Sequence, residues 1–331
     1  MAKVVRFHEL GGPEVLRIED LDVADPGPGE VRLRVHAIGL NRAEALFRAG
    51  HYLEAAKLPA RLGYEAAGSI DAIGQDVTGL AIGDAVAVVP SFSLNAYGMY
   101  GDVVLAPAHA IVRTPEGVSP IEAAAVWMQY LTAYGALIDI AKLGPGDFVI
   151  IPAASSSVGL AAIQIARMVG ATTIATTRSG KKAEALDQAG AQHVITTERD
   201  DLAAEVKKIT AGAGARVVFD PVAGPFVETL AEACAPTGIL FIYGLLSMRP
   251  TPFPTLPALG KGLTLRGYTL FEIVSDPERF ARGKSFVLDG LANGALKPII
   301  AKTFPLAQIA EAHRYMEAGE QFGKIVVTVE A

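Results

Sequence analysis

Residues 148–178 read FVIIPAASSSVGLAAIQIARMVGATTIATTR, and this stretch decides the fold of the chain. It predicts an apolar strand, a tight loop of small residues, an amphipathic helix and a second strand that ends on a cation. This is the layout of a dinucleotide-binding β-α-β unit. A helix that begins directly after such a loop directs its first backbone N–H groups and the positive end of its dipole toward a pyrophosphate.

The loop departs from the usual glycine fingerprint, because Ala154, Ser156 and Gly159 stand at the three positions of G-x-G-x-x-G. Small residues still let a phosphate approach the backbone closely. The neighbouring hydroxyls of Ser155 and Ser157 add possible donors at the helix N-terminus. The alternative is an ordinary strand–helix turn with a serine cap, and the loop alone does not decide between the two. The predicted phosphate site consists of Ala154, Ser155, Ser156, Ser157, Val158 and Gly159.

The end of the second strand selects the dinucleotide. Units that prefer NAD carry Asp or Glu at this place, which accepts a hydrogen bond from the ribose 2′-hydroxyl. This chain has Arg178 instead, followed by Lys181 and Lys182. A guanidinium with ammonium groups nearby suits a 2′-phosphate. The sequence therefore predicts NADPH over NADH, with Arg178 and Lys182 as contacts; a solvated basic loop is the alternative interpretation.

Composition narrows the class of protein. The 331 residues are 51% hydrophobic and carry a formal net charge of −6, which argues against nucleic acid as the main partner. The single cysteine, Cys234, excludes a disulfide scaffold. Pro152 and Gly159 interrupt the uncharged run 148–166, so a strand and a helix explain it better than a membrane span. The N-terminal residues lack a signal-peptide pattern, and we expect a cytoplasmic protein.

The chain changes character near Ser119. Before it, short apolar runs separated by Gly- and Pro-rich turns predict β-strands, with one helix at 43–49. After it, a helical run capped by Ser119 leads into strands and helices that alternate to about residue 270, which predicts a parallel sheet covered by helices. The expected fold is α/β: a β-rich domain at 1–122, to which 272–331 returns, and a doubly wound Rossmann domain at 123–271.

Several strings in this order resemble the medium-chain dehydrogenase/reductase superfamily, and most closely its zinc-independent quinone oxidoreductase (zeta-crystallin-like) branch. They are FHELGGPEVL near the start, GEVRLRVHAIGLN at 29–41, LGYEAAG, IGDAVAVV, VVFDPVAG at 217–224 and FGKIVV at 322–327. The resemblance covers the whole chain and implies that the β-rich domain is GroES-like.

The resemblance also implies which residues react. Asn41 and Tyr64 stand where zinc-dependent relatives carry a cysteine and a histidine, so no metal is expected. Asn41 matches an asparagine beside the nicotinamide, and Tyr52 matches a tyrosine that relatives use as a proton donor. We expect Asn41, Tyr52 and Tyr64 to be the catalytic residues; the alternative interpretation is that each tyrosine is a half-buried packing residue. Glu44 replaces an aspartate of the family, and its role stays open. The six histidines are scattered singly and are interpreted as structural.

Further cofactor contacts follow from the same pattern. Thr132 matches a residue near the nicotinamide and its ribose. Gly244 and Leu245 follow a strand at the carboxyl edge where open α/β sheets bind ligands. Lys324 matches a lysine that approaches the cofactor phosphates.

The expected function is transfer of hydride from NADPH to a small-molecule quinone. One alternative is reduction of the C=C bond of an α,β-unsaturated carbonyl or enoyl thioester. An alternative of another class is a catalytically silent, crystallin-like NADPH-binding protein. The edge strand TLRGYTL predicts a homodimer.

Overall fold

The computed structural model describes residues 1–330, and the chain divides into two compact units. Unit 1 comprises Met1–Met128 and Pro298–Ala331, and unit 2 comprises Gln129–Lys297. The two crossings of the chain between units therefore fall at 128/129 and 297/298.

Unit 1 consists mainly of antiparallel strands, as its alternating apolar runs predict. Its strands are β1 (Ala2–Phe7), β2 (Arg17–Leu21), β3 (Glu30–Gly39), β4 (Ala60–Arg61), β5 (Glu65–Ile73), β6 (Ala85–Val88), β7 (Val103–Pro107), β8 (Ile111–Arg113), β15 (Ile300–Pro305) and β16 (Lys324–Thr328). Its helices are α1 (Arg42–Arg48), α2 (Pro120–Ala123) and α11 (Ile309–Ala318), with 3-10 turns at Pro13–Val15, Ala108–Ala110 and Leu306–Gln308.

Two sheets organise unit 1. The smaller has the order β2-β1-β4, and the larger has the order β15-β16-β3-β5-β6-β8, with β7 also paired to β3. In the larger sheet β16 runs antiparallel to β3, with Val326 opposite Gly39. The end of the chain thus lies beside the strand that leads into α1.

Unit 2 alternates helices with strands. Its strands are β9 (Phe148–Ile151), β10 (Thr172–Thr177), β11 (His193–Thr196), β12 (Ala215–Asp220), β13 (Cys234–Ile242) and β14 (Thr264–Gly267). Its helices are α3 (Trp127–Tyr134, which begins two residues before the boundary), a π-helix (Gly135–Ile140), α4 (Ser157–Met168), a 3-10 turn (Gly180–Lys182), α5 (Ala183–Gln188), α6 (Leu202–Ile209), α7 (Phe226–Ala233), α8 (Thr255–Lys261), α9 (Phe271–Val274) and α10 (Pro277–Ala292).

The six strands of unit 2 form a parallel sheet in the order β11-β10-β9-β12-β13-β14. The order reverses between β9 and β12, which is the switch point where sheets of this kind bind dinucleotides. A core of Ile150, Ile174, Val218 and Leu240 packs with residues of α6 and α7 on this sheet. The Rossmann topology predicted from the sequence is confirmed.

Two details differ from the sequence expectation. The helical run begins with the predicted cap at Ser119, which forms a capping box with Glu122, but the run is broken into α2, α3 and the π-helix. Residues 272–297 belong to unit 2 rather than returning to unit 1. They do so because Arg279 on α10 forms an ion pair with Asp139 at 2.6 Å and because Phe286 packs on Tyr134. Sequence periodicity carried no sign of these contacts between distant segments.

No helix within residues 1–330 is long and apolar enough to cross a bilayer.

Candidate active site and dinucleotide crevice

Asn41 is the residue that turns β3 into α1. It has an extended backbone at the N-cap, and its N–H donates to the Glu44 side chain at 2.7 Å in a capping box. Such a box satisfies helix N–H groups that have no partner inside the helix. The short run from Asn41 to Glu44 therefore fixes both side chains relative to the end of β3.

The Glu44 carboxylate is fully buried and receives four hydrogen bonds. Oε2 accepts from Asn41 N–H and from the Tyr100 hydroxyl at 2.6 Å. Oε1 accepts from Tyr64 N–H at 2.9 Å and from the Asn41 amide at 3.3 Å. Burial raises the pKa of Glu44, while these bonds and the charge of Lys324 act in the opposite direction. Because every partner is a donor, the geometry suits the ionised carboxylate, and the function of Glu44 here is to hold Asn41 and Tyr64.

Lys324 lies in the same cluster. Its Nζ donates to Asn41 Oδ1 at 2.7 Å and to Glu65 Oε2 at 2.6 Å, and both charged side chains are almost completely buried. Glu65 also accepts from Met128 N–H at 2.9 Å. The expectation that Lys324 reaches the cofactor phosphates stays a prediction. In unit 1 the Lys324 ammonium orients the Asn41 amide, because it donates to the amide oxygen.

A second branch leads from Glu44 to the surface of unit 1. The Tyr100 hydroxyl lies 3.1 Å from His313 Nε2, and Arg48 donates to His313 Nδ1 at 2.7 Å and to Glu317 at 2.7 Å. Burial and the charge of Arg48 lower the pKa of His313 to about 3. The imidazole is neutral, since Nδ1 must accept from a guanidinium that stays protonated. This branch is therefore structural, as the sequence interpretation of His313 has it.

Tyr52 and Tyr64 meet through their hydroxyl groups. The buried Tyr64 donates to the half-buried Tyr52 at 3.3 Å, and the two rings are 6.3 Å apart. Burial raises the pKa of both phenols. The hydrogen bond from Tyr64 lowers that of Tyr52, because it stabilises a Tyr52 phenolate. Tyr52 is therefore the better proton donor of the pair.

The cluster of Asn41, Glu65 and Lys324 holds an ammonium group and is unsuited to a zinc ion. Asn41 and Tyr64 replace the ligands expected in zinc-dependent relatives, and the Lys324 ammonium stands between Asn41 and Glu65, where it repels a cation. Among residues 1–330, no three His, Cys, Asp or Glu side chains form a group suited to a metal.

The serine loop of unit 2 forms the N-terminus of α4. Ser156 is the N-cap, and its hydroxyl accepts from Gly159 N–H at 3.1 Å. Ala153, just before the loop, has φ of 47°, a left-handed conformation that costs free energy for a residue with a Cβ. A Cβ at Gly159 would lie 2.6 Å from the Ala154 carbonyl oxygen. The third position of the fingerprint thus needs glycine, because the start of α4 passes close to the backbone of Ala154.

The basic residues after β10 approach this loop. Lys182 Nζ lies 3.3 Å from the Ser155 hydroxyl, so the chain brings two predicted contacts together. Arg178 is exposed at the end of β10, and none of residues 1–330 forms an ion pair or hydrogen bond with its guanidinium. A guanidinium without a partner near such a loop can bind a further phosphate, such as the 2′-phosphate of NADPH.

The other side of the crevice is formed by the ends of β12 and β13. Asp220 is buried and accepts from Val222 N–H at 2.8 Å and Ala223 N–H at 3.0 Å, and burial raises its pKa to about 6. A Cβ at Gly244 would lie 2.7 Å from the Pro221 carbonyl oxygen, so the loops after the two strands pass closely.

Two predicted contacts and one unpredicted residue complete unit 2. Leu245 is exposed after β13, and Thr132 is buried on α3. Tyr243, which sequence analysis did not single out, stacks on Phe219 with ring centroids 4.0 Å apart. Its signal was a polar side chain at the carboxyl end of a parallel strand. Glu65 and Tyr100 were also missed, because their partners are far away in the chain.

The fold and these residues define a class: a two-domain oxidoreductase with a dinucleotide-binding Rossmann domain. The family described as "Alcohol dehydrogenase GroES-like domain" matches residues 27–116, and that described as "Zinc-binding dehydrogenase" matches residues 157–286. A 2-haloacrylate reductase from Burkholderia sp is 32% identical over 100% of this chain and 99% of its own length. The chain belongs to the medium-chain dehydrogenase/reductase superfamily.

Its similarity extends to proteins named quinone oxidoreductase. One from Pseudomonas aeruginosa is 32% identical over 99% of both chains. A structure of Escherichia coli quinone oxidoreductase, described as complexed with NADPH, is 29% identical, with a TM-score of 0.92 over 98% of this chain and 99% of that one.

Proposed function

We propose that this protein is an NADPH-dependent oxidoreductase that transfers a hydride to a quinone. The observation that carries the proposal is Arg178, which offers an exposed guanidinium at the end of β10 near Lys182 and the serine loop. This arrangement suits the 2′-phosphate that distinguishes NADPH from NADH. The full-length similarity to quinone oxidoreductases supports a quinone as the acceptor.

The residues of unit 1 supply the proton. NADPH provides the hydride when it is bound, and an acceptor that takes the hydride develops negative charge on oxygen, which donors stabilise. We assign Tyr52 as proton donor and Asn41 as the polar group that orients the reacting molecules. Tyr64 donates to Tyr52, so the phenolate left after proton transfer keeps a hydrogen bond. Glu44 and Lys324 hold these groups in place.

Cofactor preference tests the proposal through Arg178→Ala. We expect KM for NADPH to rise about tenfold or more, because a hydrogen bond to a charged group is lost. KM for NADH should change little. Lys207→Ala, an exposed cation on α6, is the matched control. Equal effects of Arg178→Ala on the two cofactors would contradict the assignment.

The acceptor is tested with wild-type protein by following NADPH loss with a 1,4-quinone, a 2-enal and an enoyl-CoA. We expect turnover of the quinone. Turnover of the enal or thioester without the quinone would replace the proposed function by enone reduction. Stabilisation by NADPH without any turnover would favour a silent binding protein.

The tyrosine pair gives enone reduction its own support, together with the full-length similarity to a 2-haloacrylate reductase. Protonation of carbon needs a positioned acid, whereas the oxygens of a hydroquinone exchange protons readily with water. If the protein reduces enones, Tyr52→Phe should slow that reaction by about a hundredfold or more, and should slow quinone turnover less, because water can take the place of the lost donor at a hydroquinone oxygen. Tyr315→Phe on α11 is the control. Equal retention of both activities would remove Tyr52 from the mechanism.

A homodimer is also part of the proposal. β14 is an outer strand of the unit 2 sheet, and the preceding segment exposes Phe253, Leu256 and Leu259. An outer strand offers unpaired backbone groups that a second copy can pair with. Sedimentation at micromolar concentration should give twice the mass of the chain, and a monomer would refute this part alone.

A further inference from the structure

Tyr243 stands one strand away from the switch point of the unit 2 sheet and has no assigned function. It follows β13 directly, and its N–H donates to the Asp220 carbonyl oxygen at 2.9 Å. Its ring lies over Phe219 of β12 at an interplanar angle of 20°. The side chain therefore extends from β13 across β12, toward the strand that carries the serine loop.

The hydroxyl of Tyr243 is buried, and among residues 1–330 it has no hydrogen-bond partner of acceptable geometry. Ser156 lies close enough to lower the pKa of Tyr243, while burial and the Asp220 charge raise it. Ser156 already accepts from Gly159 N–H. A buried hydroxyl without a partner is costly, so native proteins rarely keep one without a reason.

The surroundings select the kind of group that could satisfy this hydroxyl. The N-terminus of α4 and its serine cap favour an anion, and a phenol that keeps its proton is a donor to an anionic oxygen. Arg178 lies on the β10 side of the loop and Tyr243 on the β12 side. A dinucleotide whose 2′-phosphate meets Arg178 brings its other half to Tyr243.

We propose that the Tyr243 hydroxyl donates a hydrogen bond to the nicotinamide-side phosphate of the bound dinucleotide. The inference rests on the proposed function, because it needs NADPH in the crevice. It makes Tyr243 a cofactor-binding residue of this chain that acts on the half of the cofactor opposite to Arg178. The hydrogen bond from this tyrosine compensates for part of the backbone contact with phosphate that glycines in the loop would have allowed.

The test compares wild type with Tyr243→Phe, which keeps the ring stack and removes only the hydroxyl. Dissociation constants are measured by NADPH fluorescence, and by competition with 2′,5′-ADP and with reduced nicotinamide mononucleotide. We expect NADPH and the mononucleotide to bind about tenfold to a hundredfold more weakly. Binding of 2′,5′-ADP should not change. Arg178→Ala should give the reverse pattern for the two fragments.

Tyr134→Phe, a tyrosine of the same unit that packs on Phe286, is the matched control and should leave all three constants unchanged. The cofactor-free Tyr243→Phe protein should be at least as stable to heat as wild type, since no bond within the chain is lost. A clear loss of stability would show that the hydroxyl is already satisfied and would overturn the inference. Unchanged NADPH affinity, or equal weakening of both fragments, would also overturn it. Failure of the wild type to bind NADPH would instead refute the proposed function.

Discussion

The Glu44 carboxylate in unit 1 receives four hydrogen bonds, whereas the Tyr243 hydroxyl in unit 2 has none among residues 1–330. Lys324 and Glu65 neutralise each other, while Arg178 lies exposed without a counter-charge from the described residues. Unit 1 thus completes its polar cluster with its own side chains, and unit 2 leaves donors open around a helix N-terminus. The difference indicates that the polar cluster of unit 1 is complete without a ligand, whereas the serine loop of unit 2 and its neighbours leave donors for one.

The largest effect is expected from opening the closed cluster. Lys324→Met leaves the Glu65 carboxylate buried without a cation, which typically costs about 3 to 5 kcal/mol. Urea denaturation should show this as a fall in the free energy of unfolding. Lys3→Met, at an exposed position on β1, is the control. The double variant Glu65→Gln/Lys324→Met should recover much of the lost stability. A loss below about 1 kcal/mol in the single variant would mean that Glu65 and Lys324 do not form a buried ion pair.

An intermediate effect is expected from adding a methyl group where the serine loop packs on the first turn of α4. In Gly159→Ala the new Cβ meets backbone atoms of Ala154, which cannot move as a flexible side chain can. Overpacking of this kind costs about 1 to 3 kcal/mol, and we expect NADPH affinity to fall as well because the loop shifts. Thermal unfolding and NADPH fluorescence measure the two effects. Gly260→Ala, where nothing lies within 4 Å of the added Cβ, is the control.

If Gly159→Ala lowers stability while leaving the NADPH dissociation constant unchanged, the loop does not hold the cofactor. Unit 2 would then no longer differ from unit 1 in being completed by a bound cofactor.

Near neutral pH the smallest effect is expected from the outer branch of the cluster, because the contribution of His313 grows only as the pH falls. Burial lowers the pKa of His313 from 6.5 to about 3. Between these two pH values the unfolded chain therefore binds a proton at His313 that the folded chain does not bind. Stability therefore falls as pH drops from about 6.5 toward 3, by at most about 1.4 kcal/mol per pH unit for this residue. His313→Gln should reduce that slope in urea titrations at several pH values. The same slope in variant and wild type would show that His313 accepts a proton in the fold; exposed His51→Gln is the control.

Local signals in the sequence predicted much of the fold. Ser119 with Glu122, the helix at α1 and the run 148–178 are each stabilised by neighbours within a few residues, so their patterns carry the structure. The roles of Glu65 and Lys324 could not be predicted in this way, because their contact joins residues 259 positions apart. Tyr243 depends on three strand ends that the fold brings together. The motifs along the sequence indicated which segments form the candidate site. They did not indicate which side chains form hydrogen bonds with one another.

The pairing of β16 with β3 has a consequence for synthesis of the chain. Asn41 and Glu65 leave the ribosome long before Lys324, which lies 259 residues after Glu65. At about 5 to 20 residues per second, the interval is on the order of ten to fifty seconds. During this time the larger sheet of unit 1 presents an unfilled edge and an uncompensated carboxylate, while unit 2 can already fold. Unit 1, to which we assign the proton donor, is thus completed last, and its unpaired sheet edge is open to aggregation until then.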